Sequence, residues 1–310
     1  MGSSSSRTVT PDCAPGFSLL CFFASLLLCF FASLLLYFFT SLLLCLFLNG
    51  SWQNTTMNPW LIVPPALVAG AAAMTAYGAV HPPSQLFGPV ITHTPAANQL
   101  ALTFDDGPNP AITPKLFDLL ARHNARATFF CVGKFVRQCP DLVKEASARG
   151  HVVGNHTDSH PNLFFCGPHE TDEELLRSSA AIEQATWAKP RWFRPPFGFR
   201  SPWLGEILHR HGLTNVTWSL IPGDWLVKPT EWLIQRMKPI AANAEANLPK
   251  AKAGAATSGD ILCLHDGYYR YLNGDRTHTL QALEYWLPRW RDLGLEFVTM
   301  NEIVRKAVEA

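Results

Sequence analysis

Residues 99–108 read QLALTFDDGP, an apolar run that ends in two adjacent carboxylates, Asp105 and Asp106, just before a Gly-Pro turn. In a regular strand, successive side chains point to opposite faces. Two neighbouring acids at a strand end are therefore either a solvated turn or two groups with separate tasks. The surrounding sequence decides between these readings.

Downstream of this run, short apolar segments alternate with amphipathic ones. Strands are predicted at Leu100–Phe104, Ala127–Val132, Val152–Gly154, Trp192–Arg194, Asn215–Trp218, Ile261–Leu264 and Phe297–Thr299. Helices are predicted over Pro114–Arg122, Leu142–Arg149, Asp172–Thr186, Pro202–His211 and Leu280–Leu293. A βαβα rhythm of this kind implies a mainly parallel α/β sheet, open or closed into a barrel. Chemistry in such folds collects at the C-terminal ends of strands, where the two acids lie. Residues 232–259 break the rhythm and read as a helix followed by a surface loop.

Upstream, residues 16–48 carry no charge and repeat an eight-residue unit three times, as CFFASLLL, CFFASLLL and YFFTSLLL. As one helix this segment would be about 50 Å long at 1.5 Å per residue, against a hydrocarbon core of roughly 30 Å. It reads as a tilted membrane segment or as a tandem repeat upstream of the true start. A second apolar stretch, MNPWLIVPPALVAGAAAMTAYGAV, starts at Met57, and Pro64-Pro65 interrupts it. It lacks a basic flank and a clean small-residue cleavage site, so it reads as an anchor in preference to a cleaved signal. The predicted organisation is a leader over 1–56, an anchor-like segment over 57–80, a linker over 81–96 and one catalytic domain over 97–310. A domain anchored to a membrane, or secreted, would work outside the cytoplasm. With 25 Lys and Arg against 24 Asp and Glu, the chain has no electrostatic case for nucleic acid. Of eight cysteines, Cys131, Cys139, Cys166 and Cys263 lie after the leader at irregular spacing, which predicts buried free thiols over a zinc ribbon or disulfide framework.

Four further clusters follow LTFDDGP. In GNHTDSH, His156 and His160 have a spacing that on a helical turn would put both imidazoles on one face, as suits two ligands of a single ion. An acid from another strand end would complete the set, and Asp106 supplies one. Asp105 is then left to act as base towards a water activated by the ion. In WFRPPFG, the two prolines hold Arg194 extended, from where its guanidinium could brace an acid. GDW contributes Asp224 and Trp225, and ILCLHDG ends another apolar strand at His265-Asp266.

Together and in this order, TFDDGP, HTDSH, RPPFG, GDW and LCLHD resemble the polysaccharide deacetylase family, also known as NodB-type domains or carbohydrate esterase family 4. The resemblance spans about residues 97–306. It implies a distorted (β/α) barrel of seven strands and a hydrolase that removes N-acetyl groups from amino-sugar polymers or oligomers. It implies that Asp106, His156 and His160 hold one divalent ion, with Zn2+ favoured and Co2+, Ni2+ or Fe2+ compatible. Asp105 would be the base, oriented by Arg194, and His265 the general acid, tuned by Asp224. The Phe197 N–H would help hold the oxyanion, while Trp225 and Leu264 would wall the acetyl methyl. Ile221 stands where the family often has an acid, which bears on groove shape and substrate preference. An O-acetyl esterase on a xylan-like polymer and a deformylase or deacetylase of a lipid-linked sugar remain open. A non-catalytic carbohydrate-binding homologue would have lost a ligand or the base, and every motif residue is present. The unassigned histidines, among them His151 and His278, are read as surface or core residues and not as ligands, and the pair Trp286 and Trp290 as packing against the barrel.

Overall fold

A computed structural model of the chain describes residues 59–303. The chain divides into two compact units, Met1–Ala66 and Leu67–Ala310, and the side-chain and sheet contacts below belong to the second. The predicted segment at 16–48 lies outside the described residues.

Nine strands make one sheet: β1 (Val90–Ile91), β2 (His93–Thr94), β3 (Gln99–Gly107), β4 (Thr128–Cys131), β5 (Val152–Asn155), β6 (Trp192–Phe193), β7 (Thr214–Val216), β8 (Gly259–His265) and β9 (Glu296–Val298). The order is β1-β7-β6-β5-β4-β3-β8-β2, with β9 on β3. All pairings are parallel except β2 with β8. Beyond β7 the chain reaches β8 through a bridge between Leu220 and Leu262, which nearly closes the sheet on itself. All seven strands expected from the sequence are present, and the sheet is barrel-like.

Each strand of β3 and β8 is buried on both sides, so their faces differ in chemistry and not in exposure. Leu100, Leu102 and Phe104 pack outward with Leu262 and Leu264 beneath the helices Thr230–Lys252 and Thr277–Asp292. Trp286 and Trp290, stacked with ring centroids 5.5 Å apart, belong to that outer layer, as packing residues should. Ala101 and Ile261 face inward with Phe130, Trp192, Val216 and Val298. One and two steps further along the same inward face come Thr103, Asp105, Cys263 and His265. The apolar barrel floor thus gives way to a polar layer at the strand ends.

Residues 81–96, expected to be a linker, instead supply β1 and β2 to the sheet. Strands of two residues are too short to show alternation, and side chains fix them: Gln85 donates to the Val90 carbonyl and accepts from its N–H. The helix Pro59–Val80 runs through Pro64 and Pro65, each forgoing one backbone hydrogen bond. Its C-terminal end is fastened to the domain by Arg200, whose N–H donates to the Ala79 carbonyl and whose guanidinium donates to those of His81 and Ser84. Among the described residues no helix is long and apolar enough to cross a membrane.

Candidate active site

The two adjacent acids reach the same pocket because β3 is irregular where they lie. Asp105 pairs with Phe130 and Gly107 with Cys131, so two steps on β3 match one on β4 and Asp106 is the extra residue. Asp106 takes φ 70, the left-handed conformation found at β-bulges. This turns its carboxylate back to the side Asp105 already faces. His156 Nε2 lies 4.0 Å from Asp105 Oδ2 and 3.6 Å from Asp106 Oδ1. The opposite-face rule fails here for a local reason, and both acids are buried.

The bulge is held by its neighbours. A Cβ on Gly107 would stand 2.5 Å from both carboxylate oxygens of Asp266, so only glycine lets the two segments approach. Asp266 is buried, accepts from the Thr113 hydroxyl, and its carboxyl is pushed up to about 7 chiefly by burial. It is a residue that the sequence motif contained but that received no role.

His156 and His160 do not share a helical turn. Residues 156–160 form a loop in which Thr157 and His160 have φ of 62 and 67. The expected convergence still occurs, with ring centroids 4.9 Å apart. Four of the seven non-glycine residues with positive φ among those described are Asp106, Thr157, His160 and Phe197, so the strained backbone concentrates at this site. Partners that the sequence did not point to pin the loop. Glu174 accepts from the N–H groups of Asp158 and Ser159 and from the Ser159 hydroxyl. Arg137 donates twice to Asp158, at 2.6 and 3.0 Å.

Asp106, His156 and His160 are all buried and place their ligand atoms within 4.8 Å of one another. His156 Nδ1 lies 2.7 Å from the Arg194 carbonyl. A carbonyl only accepts, so Nδ1 carries the proton and Nε2 turns a lone pair to the pocket. Asp106 Oδ1, 3.1 Å from His160 Nε2, is buried without a hydrogen bond. Burial would raise the Asp106 carboxyl, but His160 and His156 hold it well below the usual range. Burial lowers the His160 imidazole against the pull of Asp106. An ionised carboxylate, the lone-pair nitrogen of His156 and the Nε2 of His160 facing one space fit a divalent cation.

Asp105 lies against a different set. Arg194, fully buried, donates to Asp105 Oδ1 at 2.8 Å and also to Thr103 Oγ1 and the carbonyls of Val216 and Thr217. Its guanidinium carbon sits 4.2 Å from the Phe130 ring centroid. The double proline that follows leaves its backbone to bond Asn155 and His156. One residue thus braces both Asp105 and His156. Replacing Arg194 with methionine strands the Asp105 charge in the interior, and a loss of about 3–5 kcal/mol of stability is expected. Urea unfolding would register it.

On the facing strand, Asp105 and His265 are Cα partners. Asp224 Oδ1 lies 2.8 Å from His265 Nδ1, and Asp224 Oδ2 accepts the His265 backbone N–H at 2.8 Å. Burial would lower the His265 imidazole, but Asp224 outweighs it and raises the value to about 9. Asp224 is itself fixed by the Thr279 hydroxyl and, through its carbonyl, by His278. His278 is therefore a support for this site. His151 packs against Phe117 and Phe129 and accepts the Ala127 N–H, as a core histidine does.

Trp225 stands edge-on to His265 with centroids 5.4 Å apart, and Tyr269 stacks on His160 at 4.4 Å beside Phe197. Leu264 is not a wall of this pocket. With side chains alternating along β8, His265 and Cys263 face the site, and Leu264 is buried in the outer core. Cys263 Sγ donates to Asp105 Oδ2 at 3.3 Å. All four described cysteines are free thiols.

Fold and site together define an α/β-barrel hydrolase with its working residues on the C-terminal ends of parallel strands. The family profile described as polysaccharide deacetylase matches residues 92–216. A chitooligosaccharide deacetylase of Bradyrhizobium sp. is 36% identical over 212 residues, 65% of this chain and 89% of that protein. A peptidoglycan-N-acetylglucosamine deacetylase of Bacillus cereus is 35% identical, over 66% of this chain and 88% of its own. Among solved structures, the peptidoglycan deacetylase PdaC of Bacillus subtilis superposes with a TM-score of 0.55 at 28% identity, covering 70% of this chain and 95% of that one. The chain belongs to the polysaccharide deacetylase family. It is a hydrolase acting on carbon–nitrogen bonds other than peptide bonds.

Proposed function

We propose that this enzyme removes acetyl groups from the N-acetylated amino sugars of a chitin-like or peptidoglycan-like polymer, or of its oligomers. One observation carries the reading: Asp105 and His265 face each other across adjacent strands, the first braced by Arg194 and the second by Asp224, beside the Asp106–His156–His160 set. A carboxylate to take a proton and an imidazolium, held charged by Asp224, to give one are what amide hydrolysis requires.

Asp106, His156 and His160 would hold one divalent ion, Zn2+ by preference, which when bound polarises a water and the acyl oxygen. Asp105 takes the proton from the attacking water. The Phe197 backbone N–H donates to the acyl oxygen as charge develops on it. His265, protonated at neutral pH, gives its Nε2 proton to the departing nitrogen, so that amine and acetate leave. Trp225 is proposed as the apolar wall for the methyl, and Cys263 takes the place on that wall first given to Leu264. This reading puts the domain outside the cytoplasm, where peptidoglycan lies, with the segments before residue 81 as anchor or export signal.

The test is a substrate panel of chitooligosaccharides, peptidoglycan, acetylxylan and a formamido-sugar lipid, each assayed with and without chelator. Acetate release from the first two, abolished by chelator and restored by Zn2+, is the expected result. Preferential release from acetylxylan, or formate release from the lipid, would replace the substrate assignment. Chelator-resistant activity would remove the ion from the reading.

A further inference from the structure

We propose that Asp105, Cys263 and His265 form a second, inhibitory site for a thiophilic divalent cation, separate from the Asp106–His156–His160 set. Its inhibitory consequence rests on the reading of Asp105 and His265 as base and acid, whereas the site itself rests on geometry.

Parallel pairing of β3 with β8 sets Thr103 opposite Cys263 and Asp105 opposite His265. Cys263 and His265, two residues apart, therefore present a sulfur and a nitrogen to the same carboxylate. The three ligand atoms lie within 4.8 Å of one another, and the thiol is already 3.3 Å from Asp105 Oδ2. Ligand atoms around a tetrahedral zinc are roughly 3.3–3.8 Å apart, from Zn–N and Zn–S lengths of about 2.0 and 2.3 Å. A modest contraction of the group would enclose an ion.

The His265 ring is oriented for this. Its Nδ1 is committed to Asp224, which leaves Nε2 as the ligating nitrogen, with a carboxylate behind the imidazole as in many zinc sites. Cys263 decides the selectivity. An aliphatic side chain there would leave one carboxylate and one imidazole; the thiolate adds a soft donor that favours Zn2+, Cd2+ or Co2+ over Mg2+ or Ca2+.

Ligation changes no oxidation state. The ion accepts lone pairs from sulfur, nitrogen and oxygen, and the Cys263 thiol proton and the His265 Nε2 proton pass to solvent. Both functions are lost at once: the base has its Oδ2 occupied and the acid has no proton to give.

The experiment uses the full chain carrying one equivalent of Co2+, titrated with further Co2+, and in parallel with Zn2+, Cd2+ and Mg2+. Bound metal per chain, the sulfur-to-cobalt charge-transfer band and acetate release are read together. The expected result is a second equivalent that brings in the thiolate band and suppresses acetate release, with Mg2+ without effect. Cys263→Val should abolish the band and raise the inhibitory concentration about tenfold or more, each variant being compared with its own rate at one equivalent. If Cys263→Val does not fold, Cys263→Ser makes the same comparison. A second equivalent that binds without the band, or inhibition at the same concentration in the variants, would overturn the site. A chain that shows the Cys263-dependent band but releases acetate from no substrate would support the site and sink the functional reading instead.

Discussion

Asp105→Asn is expected to lower acetate release by about 10²–10⁴-fold, the range typical for loss of a general base, with the chain still folded. Asparagine keeps the shape and an acceptor oxygen for Arg194, whose other partners, Thr103 and the carbonyls of Val216 and Thr217, are untouched. What it removes is the charge and the ability to take a proton. The Asp106–His156–His160 set is unaltered, so one equivalent of metal should still bind, while the fully buried Arg194 loses its carboxylate partner and the melting temperature should fall without loss of the fold. This combination separates a base from a ligand. A variant with a full metal complement and near-parental acetate release would strip Asp105 of the role. A variant that lost its metal as well would make Asp105 a ligand, an outcome that the 4.0 Å separation from His156 Nε2 leaves sterically open.

Much of this site was legible because the family's motifs sit where strands end, and strand ends are visible as apolar runs that stop. QLALTF, TFFC and ILCL announce β3, β4 and β8 by composition alone. The strands that escaped, β1 and β2, are two residues each, below the length at which alternation can be seen. Two readings failed through periodicity applied where the backbone is irregular or the register was ignored. The i,i+4 spacing of His156 and His160 suggested a helical turn, but Thr157 and His160 adopt left-handed backbone in a loop. Leu264 cannot share a wall with His265, because neighbours in a strand face opposite ways.

Residues that act through tertiary contact left no local mark. Glu174 lies mid-helix, with nothing in its own sequence to tell it from Glu173, yet it anchors the His156–His160 loop. Thr279 and His278 support Asp224 from 55 and 54 residues away. Tyr269 covers one face of His160 from a loop with no motif. Only the meeting of elements selects such residues, which is why the residues inside the motifs, Arg194 and Asp224 among them, could be named in advance and Glu174, Thr279, His278 and Tyr269 could not.

His265 gives the second large effect, and its sign follows from its partner. His265→Ala should cost about 10²–10⁴-fold in acetate release by removing the acid. The sharper test is Asp224→Asn. In the parent, burial pulls the His265 value down and Asp224 pulls it up to about 9, so the acid is charged at neutral pH and activity should fall as pH rises through about 9. With asparagine at 224 the burial remains and the compensating charge does not. The alkaline limb should then move down from about 9, with Asp106 and Asp105 left as the groups that still raise the imidazole against burial. Stability follows the same sign: a folded value above the unfolded one contributes fully below about pH 6.5 and is lost as pH rises through about 9. Urea midpoints should therefore decline across that window in the parent and less steeply in Asp224→Asn. An alkaline limb that stays in place in the variant would mean that another group titrates there, and His265 would lose its place as the acid.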